Sequence, residues 1–223
     1  MIPLWLAIGT FVLAGTGLHV GLHYAAHGVV NVHQAALAFF LVINVLVNLW
    51  EFTLHKYAAR ITREWEETQL PWKGREAERA NGFFRERASL RELFTLRRWT
   101  GLWSSYALFD RGYADIRSFG WNIDVGNGWS TILPALLTAW GMTYEIVPAR
   151  VLGIVGVAMY WQMLYGTLVY FFQFFNNRNH VGISRGALWA FVGGTNGFWF
   201  VFPIWGIAVS VALIYADSFA ILR

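Results

Sequence analysis

Long apolar runs with almost no charge constrain this chain more than any other feature of its sequence. They fall at residues 3–22, 33–55, 129–147, 151–175 and 187–215. About 20 residues of helix, rising 1.5 Å each, cross the ~30 Å hydrocarbon core of a bilayer. Inside hydrocarbon a segment must satisfy its own backbone groups, so a run of this kind folds as a helix. The expected fold is all-α: a polytopic membrane bundle of about five transmembrane helices, forming one membrane domain over residues 1–223.

The charges agree with this. Only 13% of residues are charged, about half the usual share of a soluble domain. Lys56 to Arg117 carries 13 of the 17 Lys and Arg residues. With an odd number of spans, the 56–128 connection and the 176–186 loop lie on the N-terminal side. Opposite them stand only Arg150 and Arg223. Basic loops stay in the cytoplasm, so the N-terminus is expected there. A compact chain without a basic tail after Asp217 leans toward a bacterial inner membrane rather than an endoplasmic reticulum. The basic balance then reflects membrane topology, and no nucleic-acid partner is expected. The absence of cysteine excludes disulfides, thiolate zinc and a thiol nucleophile. Met1-Ile2-Pro3-Leu4-Trp5 lacks the basic start of a cleaved leader and reads as the first span.

Between the spans, Tyr24 to Gly28 suits a tight hairpin, and Pro148 would stop the third span. In the long connection, Trp99, Leu102, Trp103, Tyr106 and Phe109 recur at helical spacing. This predicts a helix lying in the membrane interface, with Arg97 and Arg98 at the headgroups. Such a helix is an anchor without chemistry.

Polar groups in hydrocarbon are costly unless satisfied, so each one is informative. Asn44, Asn48, Glu51 and His55 are spaced four, three and four apart, along one face of the second span. A carboxyl one turn from an imidazole can hold and pass a proton, although Glu51 and His55 also suit an ordinary span end. Asp124 enters the membrane with the third helix, where it reads equally as a proton-handling group or as the helix cap. Asp110 and Asp115 are expected to pair with Arg111 and Arg117 at the surface. Asn196 lies deep in the fifth apolar run, and Gln162, Tyr165, Tyr170 and Gln173 mark the fourth. His19, His23 and His27 recur every four residues, a metal-ligand spacing. Histidine-based membrane oxidases need more imidazoles in paired motifs, so no metal and no cofactor is expected. No phosphate loop, nucleophile elbow or zinc-protease motif is present.

Three segments carry a resemblance. Asn196-Gly197-Phe198-Trp199-Phe200-Val201-Phe202-Pro203 is similar to an Asn-x-x-Trp-x-x-x-Pro run. Tyr165-Gly166-Thr167-Leu168-Val169-Tyr170-Phe171 is similar to Tyr-Gly-x-x-x-Tyr-Phe. Asn44-x-x-x-Asn48-x-Trp50 stands where His-x-x-x-Glu-x-Trp would. Together they resemble the emopamil-binding protein family, the EXPERA-type fold that includes the sterol double-bond isomerase and the sigma-2 receptor. The resemblance implies four or five membrane helices around a lipid-accessible cavity, with Asn196 and Trp199 lining it. The family's His and Glu are here Asn44 and Asn48, which cannot exchange protons usefully. Asp124 lies within about one residue of the family's third-helix acid. Asn48-x-Trp50-Glu51 is also similar, one residue shorter, to the Asn-x-x-Trp-Glu of small membrane terpene cyclases.

The leading expectation is a membrane enzyme acting on a sterol-like or isoprenoid lipid by acid–base or carbocation chemistry. Glu51 and Asp124 would handle protons. Asn44, Asn48, Tyr165 and Asn196 would position substrate, and Trp50 and Trp199 would face developing positive charge. The alternatives are a non-catalytic lipid-binding or regulatory protein and, third, a histidine-based metal oxidoreductase. A homodimer is compatible with the sequence.

Overall fold

Helix ends show most directly how this sequence becomes structure. The computed structural model describes residues 1–223. The first long helix, α1 (Leu4–His27), closes on Gly28, whose φ of +73° suits a residue without Cβ. The hairpin expected at 24–28 is therefore helix almost to its end, and the turn lies at Gly28 to Asn31. Asn31 caps α2 (Val32–Lys56): its Oδ1 accepts from the His33 and Gln34 amides at 2.9 and 3.1 Å.

The connection that follows is largely helical. It holds α3 (Ala58–Thr68), α4 (Glu76–Arg85), a short strand β2 (Arg87–Ala88), α5 (Leu90–Leu93) and α6 (Thr100–Tyr106). β2 pairs antiparallel with β1 (Ile2–Pro3), just ahead of α1.

α7 (Phe119–Tyr144) begins ten residues before the expected span. Ser118 Oγ accepts from the Trp121 amide at 3.1 Å and caps it, so the cap expected of Asp124 is supplied elsewhere. α7 ends through Glu145, a left-handed residue at φ +51°, before Pro148 is reached. α8 (Ala149–Asn176) and the pair α9 (Arg185–Ala187) and α10 (Thr195–Ala216) complete the chain. Leu188–Gly194 joins that last pair as a π-helix, which makes Arg185–Ala216 one continuous apolar element.

The protein is thus an all-α polytopic membrane bundle. Four elements are long and apolar enough to cross a bilayer: α1, α2, α8 and 185–216. α7 has the length, but Asn122, Asp124, Asn127, Ser130 and Thr131 dilute its first half.

The chain divides into two compact units. The first takes Met1–Ile8, Leu49–Trp129 and Gly166–Gly197. Its core joins Leu54, Ile61, Trp103, Phe109, Tyr113, Tyr170 and Phe174. The aromatic residues of the connection are buried here. Trp103 is 6% exposed, stacks on Tyr113 at 5.3 Å, and donates from Nε1 to the Trp50 carbonyl at 2.6 Å. α6 therefore turns its apolar face to α3 and α4. An indole N–H needs a protein partner once its ring is buried, and the Trp50 carbonyl supplies one.

The second unit takes Gly9–Asn48, Ser130–Tyr165 and Phe198–Arg223. Its core joins Leu37, Phe40, Leu41, Ala139, Met142, Tyr160, Met163 and Val209. Small residues bring helices close: a Cβ on Gly153 would stand 2.6 Å from the Ser210 carbonyl oxygen and 2.7 Å from Ile214. Gly153→Ala should lower stability in detergent by about 1–3 kcal/mol. Gly9→Ala, where a Cβ meets nothing within 4 Å, should leave it unchanged or slightly higher. Thermal unfolding followed by circular dichroism checks both, and equal melting temperatures for G153A and wild type would contradict the close approach.

Candidate functional site

In the second unit, three of the sequence-predicted residues form one hydrogen-bonded relay. Asn44 and Asn48 are four apart on α2 and share a face. Trp199 Nε1 donates to Asn44 Oδ1 at 3.0 Å, and Asn44 Nδ2 donates to Asn48 Oδ1 at 3.1 Å. Asn48 Nδ2 then donates to Thr131 Oγ1 at 3.0 Å. Asn44, Asn48 and Thr131 are each at most 2% exposed. The relay joins α2, α7 and α10 through groups that hydrocarbon would otherwise leave unsatisfied. Phe40 packs edge-on against the Trp199 ring at 5.8 Å. Tyr165 is not brought to this cluster: it is 54% exposed and stacks on Trp161 at 6.0 Å. Gln162 donates to Ser130 Oγ at 2.6 Å. Thr131 was not singled out in the sequence, because a lone threonine in an apolar run carries no spacing signal.

The first unit holds the carboxyls. Glu51 on α2 is 5% exposed. Trp50, beside it, packs against Trp99 at 5.4 Å as part of a core with Leu4 and Phe83. His55, at the exposed end of α2, accepts at Nδ1 from Trp129 Nε1 at 3.1 Å. Asp124 sits half-buried in the second turn of α7, where its charge acts on the Tyr113 hydroxyl. Asn196 Nδ2 donates to Tyr106 Oη at 2.9 Å and to the Val192 carbonyl at 2.8 Å. It lies directly after the π-helical turn, a distortion common at functional sites. Tyr106 and Tyr113 meet edge-to-face at 4.9 Å. Burial pushes the Tyr106 hydroxyl up to about 12, against the hydrogen bond from Asn196. It pushes Tyr113 well above the ordinary tyrosine value, with the Asp124 charge adding to the effect. Both phenols therefore stay protonated at neutral pH. Sequence reasoning missed them as site residues because their aromatic neighbours read as an anchoring helix.

No family model matches this chain, and neither the curated proteins nor the solved structures give a match. What the site can do therefore rests on its own geometry.

The histidine stripe ties helix ends together. His23 Nε2 donates to the Leu222 carbonyl at 2.7 Å, leaving Nδ1 to accept from Thr143 Oγ1 at 3.3 Å. His27 Nε2 donates to the Thr143 carbonyl at 2.8 Å. His19 packs against Trp140 at 4.9 Å.

The two aspartates expected at the surface differ. Asp115 pairs with Arg117 at 3.1 Å as expected. Asp110 does not pair with Arg111. It is 1% exposed, and its Oδ1 accepts from the Gly112 amide and from Asn179 Nδ2, both at 2.9 Å. The aromatic cluster around Phe109 draws it inward.

Exchanging the relay's partners tests whether it acts as a unit. Asn44→Leu should cost about 1–3 kcal/mol, because it strands the Trp199 N–H and one Asn48 acceptor. In a double-mutant cycle with Trp199→Phe the coupling should be about 1 kcal/mol. Additive effects in detergent unfolding would show the bond to be worth nothing.

Burial raises the Asp110 pKa above its ordinary 3.8, against the bonds from Gly112 and Asn179. A carboxyl raised on folding contributes stability fully below its unfolded value and loses it as pH rises through the folded value. The Asp110 contribution to thermal stability should therefore fall as pH rises from 3.8 through its folded value, and Asp110→Asn should remove that contribution. An identical pH profile for D110N would refute this.

Proposed function

We propose that this chain is a membrane-embedded enzyme acting on a sterol-like or isoprenoid lipid by acid–base chemistry, shifting a double bond or closing a ring through a carbocation. The observation that carries the reading is the pair of carboxyls kept inside a membrane protein. Glu51 is buried on α2, and Asp124 is half-buried under the Tyr113 hydroxyl. Ionisable groups in such a place are costly and serve function by default.

The chemistry needs two proton transfers. A carboxylic acid gives its proton to one alkene carbon; the π pair forms the new C–H bond, and the other carbon becomes cationic. A carboxylate then takes a proton from a neighbouring carbon, and that C–H pair becomes the new double bond. Glu51 and Asp124 are the groups able to do both. Asn196, in the same unit as Glu51 and Asp124, would position the lipid. Tyr165 and Trp50 fit this reading less well, the first being turned outward and the second packed on Trp99. The sterol or isoprenoid class comes from the sequence resemblance to the emopamil-binding family. We place the 56–128 connection, and with it the N-terminus, on the cytoplasmic side of the membrane, on the strength of the connection's basic residues.

One observation favours a second reading, a lipid-binding protein without catalysis. Asn44 and Asn48 direct their side chains to Trp199, to each other and to Thr131, as structural groups would. The metal-oxidase reading gains no such support, since His23 and His27 bond main-chain carbonyls.

Mass spectrometry of lipids retained in mild detergent, beside an Asn196→Leu control, should find one sterol or polyprenoid species lost in the control. Deuterium uptake from heavy water into that lipid should drop at least about 100-fold in Glu51→Gln and in Asp124→Asn, with folding intact. Full uptake in both variants would sink the enzyme reading. Retained lipid without deuterium uptake in wild type would favour the second.

A further inference from the structure

We propose that a polar cleft in the first unit, walled by Lys73, Arg111 and Arg178, binds a phosphate-bearing head, carried on a lipid or free in solution. The cleft measures about 400 Å³ and lies between the end of α3, the start of α4, residues 107–111 and the 177–183 loop. All of these segments are outside the four apolar spans, so the cleft meets water or headgroups.

Its charge is what distinguishes it. None of its three cations takes part in any of the chain's ion pairs. Against them the wall carries one carboxylate, Glu76, which accepts from the Gly74 amide at 2.7 Å and leaves the wall with two net positive charges. Gln69, Asn177 and Asn179 add neutral amide groups to the lining. Unpaired cations on a concave wall focus a positive field, and arginine forks beside a lysine suit the several oxygens of a phosphate.

A second cleft of about 390 Å³ makes the contrast. It gathers Arg60, Arg79 and Arg98, but Glu64 and Glu86 neutralise them at 2.6, 3.5 and 2.8 Å. Only Arg97 is left over there, against three cations in the proposed site.

The walls of the proposed site are also held in place. Asp110, behind the wall and 1% exposed, accepts from Gly112 and from Asn179. The first bond closes the turn bearing Arg111, and the second ties that turn to the loop bearing Arg178. Phe109 stacks on Phe191 at 4.8 Å and fixes the same turn to the core. Arg178 itself sits at φ +57°, a conformation that a non-glycine residue keeps only where the surroundings impose it. A site whose donors are fixed before binding loses less entropy when the anion arrives.

The test uses the full chain, purified in detergent. Inorganic pyrophosphate, titrated calorimetrically, should bind with an affinity that weakens as salt rises. The Lys73→Gln/Arg178→Gln double variant should lose at least about tenfold in affinity. Arg117→Gln, whose arginine pairs with Asp115 outside the cleft, should lose nothing. In parallel, native mass spectrometry from nanodiscs of phosphatidylcholine with phosphatidic acid reads retained anionic lipid. Phosphatidic acid retained by wild type, displaced by pyrophosphate and lost in the double variant, assigns the site to a lipid head. Pyrophosphate binding without lipid retention assigns it to a free phosphate compound. No binding of either probe, or equal binding by wild type and the double variant, overturns the proposal.

Discussion

Hydrocarbon offers no hydrogen bonds, and nearly everything in this structure follows from that. Each span is a helix because only a helix closes its own backbone in such a solvent. The same rule governs side chains. Trp199, Asn44, Asn48 and Thr131 come from three helices and together leave few polar atoms facing lipid. A transmembrane helix gains little from burying leucine against leucine, since lipid tails are equally apolar. Close approach at Gly153 and directional bonds of the relay kind therefore do what the hydrophobic effect does in water.

The rule also explains which parts of the fold could be read from the sequence. Apolar runs with polar ends located α1, α2, α8 and the 185–216 element closely, because length and charge are sufficient information there. The third helix was legible only in part. Its first turns carry Asn122, Asp124 and Asn127, which a hydropathy reading excludes, yet Ser118 starts the helix ten residues before the apolar run. Its end was misread for a related reason: Glu145 adopts a left-handed turn that proline-based reasoning does not anticipate.

The connection was the least legible segment. The spacing of Trp99, Trp103 and Tyr106 correctly gives a helix, but spacing cannot say whether lipid or protein covers the apolar face. Here protein covers it: Trp103 donates to the Trp50 carbonyl and stacks on Tyr113. That burial brings Tyr113 to Asp124 and Tyr106 to Asn196. The asparagines and Trp199, which the fold joins in hydrogen bonds, were singled out by four-residue spacing and motif. The tyrosines were not, because their role depends on a fold-back that no local pattern encodes. Asp110 shows the same limit, since a neighbouring arginine in sequence suggested a surface pair that the buried Phe109 turn prevents.

The asparagines also separate the two functional readings on physical grounds. An amide can donate and accept at once, so two of them can extend a chain of bonds across helices without carrying charge. A carboxyl in the same place would have to be paired or neutralised, at a cost of several kcal/mol. A protein that only had to hold its helices together would gain by keeping amides and discarding acids. This chain keeps Asn44 and Asn48 but also retains Glu51 and Asp124, and furnishes Asp124 with a phenol whose proton does not leave at neutral pH. Structural economy accounts for the first pair of residues, and the proposed proton transfer would draw on the second.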